Sequence, residues 1–267
     1  MVGTHKGGFL FFSDEDRKSW EILGPFHRGL DVNHMSMDTR ADPTIWACVN
    51  SSWFGSGLRF SRDFGKTWEK PEQELAFAED GEHKLEKLWF VEPGRVDEPD
   101  TLYAGVAPAA LFKSEDGGQT WSDVPGLTNH PTREKWQPGM GGMMVHSLWL
   151  HPNDLDRLWV AISAAGVFYT EDGGATWEPR NRNVRADFLP DKKPDVGQCV
   201  HHMAGHPAKP DVLYQQNHCG MYRSDDAGLN WIDVGEDLPS DFGFPIQVHP
   251  HQPDTIYVIP EQGGDFR

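Results

Sequence analysis

The sequence predicts an all-β chain built from repeated four-stranded sheets, and three observations carry that prediction. An eight-residue motif ending in Trp recurs along the chain at near-constant spacing. Each copy follows the same succession of short apolar, β-rich runs. The composition, with 28 Gly, 20 Pro and 11 Trp in 267 residues, is that of many turns, and apolar patterns of helical period are hard to find.

The motif sets the frame. Ser61-Arg-Asp-Phe-Gly-Lys-Thr-Trp68 returns as Ser114-Glu-Asp-Gly-Gly-Gln-Thr-Trp121, as Thr170-Glu-Asp-Gly-Gly-Ala-Thr-Trp177 and as Ser224-Asp-Asp-Ala-Gly-Leu-Asn-Trp231. The starts lie 53, 56 and 54 residues apart, and a worn copy, Ser13-Asp-Glu-Asp-Arg-Lys-Ser-Trp20, precedes the first by 48. In that worn copy Glu15 stands at the Asp position and Arg17 at the Gly position.

Immediately before each copy comes a strand signal, such as Ala109-Ala-Leu-Phe-Lys113 or Gly166-Val-Phe-Tyr169. Before that comes another, such as Thr101-Leu-Tyr-Ala-Gly105 or Arg157-Leu-Trp-Val-Ala161. Earlier still is a run ending in His-Pro or Glu-Pro: Phe90-Val-Glu-Pro93, Leu148-Trp-Leu-His-Pro152, Gly205-His-Pro207 and Val248-His-Pro250. The unit is therefore strand, turn, strand, turn, strand, box turn, strand, which is one blade of a β-propeller.

Taken in order, Val2-Gly-Thr-His5 enters as the second strand of a blade, so residues 1–24 supply strands two to four only. Whole blades are expected at about 32–70, 86–123, 145–179 and 199–234. Residues 244–267 then begin another: Phe244 to His249 reads as a first strand and Thr255 to Pro260 as a second. The expectation is a single propeller domain over 1–267, an incomplete part of a larger ring of about seven blades. A five-bladed ring closed by pairing the strand at 244–249 with the N-terminal strand is the alternative.

The chemistry of the box is that of a tight turn. A Ser or Thr hydroxyl and an Asp carboxylate bond backbone N–H groups, and the Gly supplies a backbone conformation other residues resist. The Trp buries a large ring between neighbouring sheets. Asp63, Asp116, Asp172 and Asp226, with Trp68, Trp121, Trp177 and Trp231, are therefore assigned structural roles rather than catalytic ones.

These boxes resemble those of the BNR/Asp-box family, which includes sialidases, endoglucanase-type hydrolases, sortilin-like receptors and photosystem-assembly factors. The resemblance covers essentially the whole chain. Gly197-Gln-Cys-Val-His-His202, Gln215-Gln-Asn-His-Cys-Gly220 and Leu238-Pro-Ser-Asp-Phe-Gly-Phe-Pro245 are similar to a bacterial sialidase-like, glycosyl-hydrolase-like subfamily of undefined activity. It implies a larger ring that continues with further repeats. It does not by itself imply an activity. A sialidase proper would carry an Arg-Ile-Pro signature, three convergent arginines and a Tyr/Glu couple. The signature is absent, and only five Tyr occur, mostly at regular strand positions.

Charge narrows the partners. With 41 acidic against 24 basic residues, a net −17, the chain lacks the basic surface that nucleic acid or an anionic membrane requires. Three cysteines, Cys48, Cys199 and Cys219, are too few and odd in number for a secreted disulfide scaffold. Residues 1–20 contain no signal-peptide apolar region, and no run approaches 18 apolar residues. A cytoplasmic protein is the expectation, with a small polar ligand, a carbohydrate or a protein as partner.

The site is expected where the innermost strands begin, opposite the boxes, because long loops (21–33, 69–87, 122–145, 178–199 and 232–243) enter there. Aligning the units by their His-Pro level stacks Asn33, Lys87, His146, His201 and Phe244, with His34 and His202 one step on. The far ends of the second strands reach the same level with Asn50, Asn217 and His218. The predicted ligand-binding set is Asn33, His34, Lys87, His146, His201, His202, Asn217 and His218, converging on one cavity. Trp53, Phe54 and Trp136 are candidates for stacking on a sugar ring. The repeating His151, His206 and His249 read as turn-formers.

No cofactor is required by this reading. Cys199 and His201 share one side of a strand by period two and His218 approaches them, so a Cys/His metal site is the alternative. The favoured function is a ligand- or protein-binding module. The alternatives are a metal-dependent enzyme using the channel histidines, or a glycoside hydrolase acting through loop carboxylates. Glu79, Glu82, Glu86, Asp187, Asp191, Asp195 and Asp241 are available for the latter, but no spacing singles out a pair.

Overall fold

A computed structural model describes residues 1–79, 81–139 and 141–261. The last six residues of the predicted final blade lie outside them. The chain packs as two compact units, Met1–Asp123 and Val124–Arg267, and both are built from antiparallel sheets whose strands follow one another in chain order. These sheets are propeller blades.

The first unit begins with a three-stranded sheet, β1 (Val2–Thr4), β2 (Gly7–Ser13) and β3 (Trp20–Phe26). Next come β4 (Asp31–Asp38), β5 (Thr44–Ser51) and β6 (Gly55–Ser61), with the outer strand reduced to a single bridge between Phe60 and Glu69. A full blade follows: β7 (Lys87–Pro93), β8 (Leu102–Ala107), β9 (Ala110–Ser114) and the two-residue β10 (Ser122–Asp123).

The second unit opens with a one-turn helix, α1 (Pro125–Thr128). Two full blades succeed it. The first is β11 (Val145–Leu150), β12 (Leu158–Ile162), β13 (Gly166–Thr170) and β14 (Glu178–Pro179). The second is β15 (Val200–His206), β16 (Lys209–Asn217), β17 (Gly220–Ser224) and β18 (Ile232–Asp233). A two-stranded sheet, β19 (Gly243–His249) and β20 (Gln252–Pro260), ends the unit. In it Gln247 lies opposite Tyr257, while the N-terminal Val2, Gly3 and Thr4 pair with β2.

Strands β5, β8, β12 and β13 are buried on both faces almost residue by residue, whereas β20 of the last sheet is not. That burial explains the near-continuous apolar sequences of β5, β8, β12 and β13. In the first unit, Trp46, Leu58 and Phe60 pack with Leu88, Val91, Phe112 and Trp121 of the following sheet. In the second, Trp159, Val167 and Tyr169 pack with Met203, Leu213, Tyr222 and Trp231.

The box turn repeats atom for atom. Ser61 Oγ donates to Asp63 Oδ1 (2.8 Å) and accepts from Gly65 N (2.8 Å), while Asp63 accepts from Thr67 N (2.9 Å) and Oγ1 (2.6 Å). Ser114–Asp116–Gly118–Thr120, Thr170–Asp172–Gly174–Thr176 and Ser224–Asp226–Gly228–Asn230 make the same bonds. Gly65, Gly118, Gly174 and Gly228 all have left-handed backbone, φ +83° to +100°. Two of them also face an aromatic ring of the preceding sheet: a Cβ on Gly118 would stand 2.3 Å from Trp46, and one on Gly65 2.7 Å from Phe26. Trp121 and Trp177 close their turns by donating Nε1–H to the box-glycine carbonyl (both 3.0 Å). Trp231 reaches Arg180 O (2.7 Å) instead, and Trp68 packs on Phe26 and His27.

The worn copy departs from its sequence alignment. Asp14, not Glu15, supplies the carboxylate, accepting from Lys18 N at 2.8 Å. Arg17 does occupy the glycine's left-handed conformation (φ 56°), and Trp20 donates to its carbonyl (3.1 Å). The His-Pro histidines form turns: Nδ1 of His151, His206 and His249 accepts the N–H two residues on, at 3.3, 3.0 and 3.0 Å.

Candidate functional site

From β4 onward, each strand that begins a sheet breaks register near its start, whereas β1 pairs with β2 in unbroken register. In β4, Val32 pairs with Val49 and His34 with Cys48, leaving Asn33 as an extra residue. The same β-bulge leaves out Trp89 in β7, His146 in β11 and His201 in β15, and β19 is irregular between Gly243 and Ile246. A bulge bends the strand and re-aims the unpaired side chain. The fold thus repeats one presenting position in β4, β7, β11 and β15. The register puts Trp89 at the level of Asn33, His146 and His201, and sets Lys87 at the level of Asp31. Aligning on the His-Pro turns had placed Lys87 there, because the bulge residue cannot be counted from the far end of the strand.

In the first unit the predicted residues gather on Asp31. Lys87 Nζ lies 3.1 Å and His5 Nδ1 3.0 Å from its carboxylate, and the Asn33 amide donates to both of its oxygens (3.0 and 2.9 Å). The Lys87 ammonium also stands 5.5 Å from the Trp89 ring centre. His34 does not join them. Its Nδ1 accepts from Val91 N (3.5 Å) and its Nε2 faces Glu92 (3.3 Å). Asn50 stitches neighbouring sheets, donating to Leu88 O (3.0 Å) and accepting from Leu88 N (2.8 Å).

The β5–β6 hairpin ends at this same edge, where Ser56 Oγ donates to Glu86 O (3.0 Å). At its tip Trp53 and Phe54 are 89% and 87% exposed. Ser51 Oγ accepts both of their backbone N–H groups (3.2 and 3.1 Å), so the turn that displays them is held. Trp136, the third aromatic candidate, is 3% exposed against His130 and Phe168 and offers no stacking face.

In the second unit the histidines do converge. The ring centres of His146 and His201 are 6.3 Å apart and those of His201 and His218 5.8 Å. His201 stacks on Phe244 at 4.5 Å, its Nδ1 lies 2.6 Å from Gly243 O, and Phe242 edges onto both His201 and His218 (5.3 and 5.1 Å). Phe188 closes the far side of His218 at 5.4 Å. The donor atoms of Cys199, His201 and His218 all lie within 4.8 Å of one another.

Burial, reinforced by the neighbouring His201 and His202, pushes His146 down to about 3, and burial lowers His201 as well, so both rings are neutral near pH 7. His202 enters this group through its charge on His146. Asn217 does not face the group. It is fully buried, accepting from Cys219 N (3.1 Å) and donating to Gln215 Oε1 (3.5 Å), so it shapes the turn.

The sequence reading missed Asp31, Trp89, Phe242 and Gly243. It also missed a knot of charge in which Arg185 contacts Asp187 (2.7 Å), Asp233 (3.2 Å) and Asp241 (3.4 Å). Only proximity to the bulge level marks these residues, and that level is fixed by strand pairing. No helix among the described residues is long and apolar enough to cross a membrane.

Comparison with known proteins agrees with this fold. Residues 59–70 match the profile of the BNR/Asp-box repeat. The chain is 27% identical to an oligoxyloglucan-reducing end-specific xyloglucanase of Emericella nidulans over 64% of its own length and 21% of that protein's. It is 28% identical to a sialidase of Bacteroides fragilis over 47% of its length and 28% of that protein's. The chain therefore spans about a fifth to under a third of the length of these relatives.

Among solved structures, an ancestral GH74 enzyme superposes with a TM-score of 0.59 at 17% identity, over 85% of this chain and 27% of the other. The GH74 xyloglucanase from Xanthomonas campestris gives 0.54 at 15% identity, over 97% and 48%. The WD40 β-propeller domain of Doa1 gives 0.54 at 11% identity, over 92% and 67%. The chain carries BNR/Asp-box repeats in a β-propeller fold.

Proposed function

We propose that this chain is a carbohydrate-binding β-propeller segment that takes sugar rings at the bulge-bearing edge of its sheets. The observation that carries the reading is the Trp53–Phe54 tip. Two large aromatic faces are fully offered to solvent on a hydrogen-bonded turn, beside an edge carrying Asp31, Asn33 and Lys87. A sugar presents apolar C–H faces ringed by hydroxyls, so a stacking face next to a carboxylate, an amide and an ammonium is the complement it needs. The resemblance to xyloglucanases and a sialidase supports carbohydrate as the ligand class.

The test is affinity electrophoresis of the purified chain in gels containing xyloglucan and other soluble glycans. Retardation by a glycan is expected, and Trp53→Ala with Phe54→Ala should weaken it about tenfold, since each stacked aromatic contributes roughly 0.5–1.5 kcal/mol. The melting temperature should hold, because both rings are exposed. Migration unchanged by every glycan, or retardation indifferent to both substitutions, sinks the reading.

A hydrolytic reading is favoured by one observation: Asp187 and Asp241 share Arg185 and so bring two carboxyls to one place. Reducing-end release from xyloglucan, abolished separately by Asp187→Asn and Asp241→Asn, would establish it over simple binding.

A further inference from the structure

We infer that Cys199, His201 and His218 form a binding site for a borderline transition-metal ion of the zinc class. Three donors that such ions favour, a thiol sulfur and two imidazoles, come from the residue preceding β15, from β15 and from the turn after β16 to within 4.8 Å of one another. Donor atoms on one tetrahedral zinc stand roughly 3.3–3.8 Å apart, given bonds of about 2.0–2.3 Å. The cluster, with donors no more than 4.8 Å apart, therefore needs a closure of about 1.5 Å at most. The exposed His218 ring has room to supply it.

Three further features fit a metal ligand set. His201 is the bulge residue of β15, so its ring is aimed by the backbone irregularity rather than by the strand alternation that governs its neighbours. Its Nδ1 lies 2.6 Å from Gly243 O, which places the proton on Nδ1 and leaves the Nε2 lone pair for a ligand. Backbone carbonyls hold metal-binding histidines in this way. Aromatic rings flank both imidazoles, Phe188 and Phe242 on His218 and Phe242 and Phe244 on His201, and fix how the rings are held.

Burial keeps the Cys199 thiol protonated, although the Ala164 amide beside it favours the thiolate. Binding therefore releases the sulfur's proton to solvent, and affinity should rise with pH. Cys219 lies outside the set of donors that come within 4.8 Å of one another, which is Cys199, His201 and His218. Three protein donors leave a fourth position for water or a ligand oxygen.

Titration of the full chain with Co2+, followed by competition with Zn2+, tests the site. One ion per chain is expected, with a near-ultraviolet thiolate-to-cobalt charge-transfer band that Zn2+ abolishes. Cys199→Ser should remove the band and Cys219→Ser should keep it. His218→Ala, at an exposed position that spares the fold, should weaken binding by more than the roughly 10–100-fold that loss of an outer-shell partner costs. A band that survives Cys199→Ser overturns the inference, as does binding unchanged by His218→Ala, which would mark ions held by surface histidines such as His249 and His251. The absence of any saturable binding overturns it too.

Discussion

The two ends of each sheet follow opposite rules. At the box end, four turns share one hydrogen-bond pattern, with the Ser or Thr hydroxyl to glycine N–H distances between 2.8 and 3.0 Å. At the other end the backbone irregularity recurs, but the residue it presents changes from Asn33 to Trp89, His146 and His201. The box end repeats because its residues satisfy their own turn and brace the sheet before them. The bulge end varies because the backbone there asks nothing of the side chain. The first end is structural by its own bonds, and the second is where the proposed sites lie.

The comparison breaks most visibly at Gly118. Gly118→Ala should cost about 2–5 kcal/mol in denaturant unfolding, combining left-handed backbone with overpacking against the buried Trp46 ring. A loss below 1 kcal/mol would show that Trp46 yields and that the box is not braced against it. Thr170→Val comes next. It keeps the shape but strands the buried Gly174 N–H, and should cost about 1–3 kcal/mol. An unchanged midpoint would mean that water replaces the hydroxyl.

Gly117→Ala sharpens the first prediction. Its φ is +70° but nothing lies within 4 Å of the added Cβ, so only backbone strain remains, about 1–2 kcal/mol. Equal losses at Gly117 and Gly118 would remove the role assigned to Trp46. Phe64 and Ala227 already hold the equivalent left-handed position, at φ 57° and 61°, which shows that the fold tolerates a side chain there.

The smallest effect is on pH dependence. Hydrogen bonds from the Thr176 side chain and backbone hold Asp172 down at about 2, against an ordinary 3.8. A carboxyl depressed by folding stabilises the folded state above its unfolded pKa, and that contribution is lost as pH falls from about 4 through 2. Asp172→Asn should flatten the fall in melting temperature across that window. The change will be slight because the group is exposed and screened. A parallel curve would show that the shift carries no stability.

Much of this was legible because a box is local. Its bonds run from residue i to i+2 and i+4, so eight consecutive residues specify the turn and 48–56-residue spacing specifies the repeat. The His-Pro turns were readable for the same reason, since Nδ1 reaches only two residues ahead. Locality also explains the failure at the worn copy, where an Asp one place earlier does the bonding that alignment gave to Glu15.

The sequence by itself thus determined the all-β class, the blades and their structural aspartates, because these depend on period-two patterning and short-range bonds. Only the tertiary structure decided which side chains meet. Lys87 turned toward Asp31 and Trp89 took the presenting position because a bulge is counted against the partner strand. Trp136 was lost to the interior, and Trp53 and Phe54 were left outside, by packing that no local pattern records. Cys199, His201 and His218 were within sight of the sequence, yet their approach to within 4.8 Å required β15 to bulge and the turn after β16 to fold back over it. Pairing across strands sets such distances, and pairing is a property of the whole sheet.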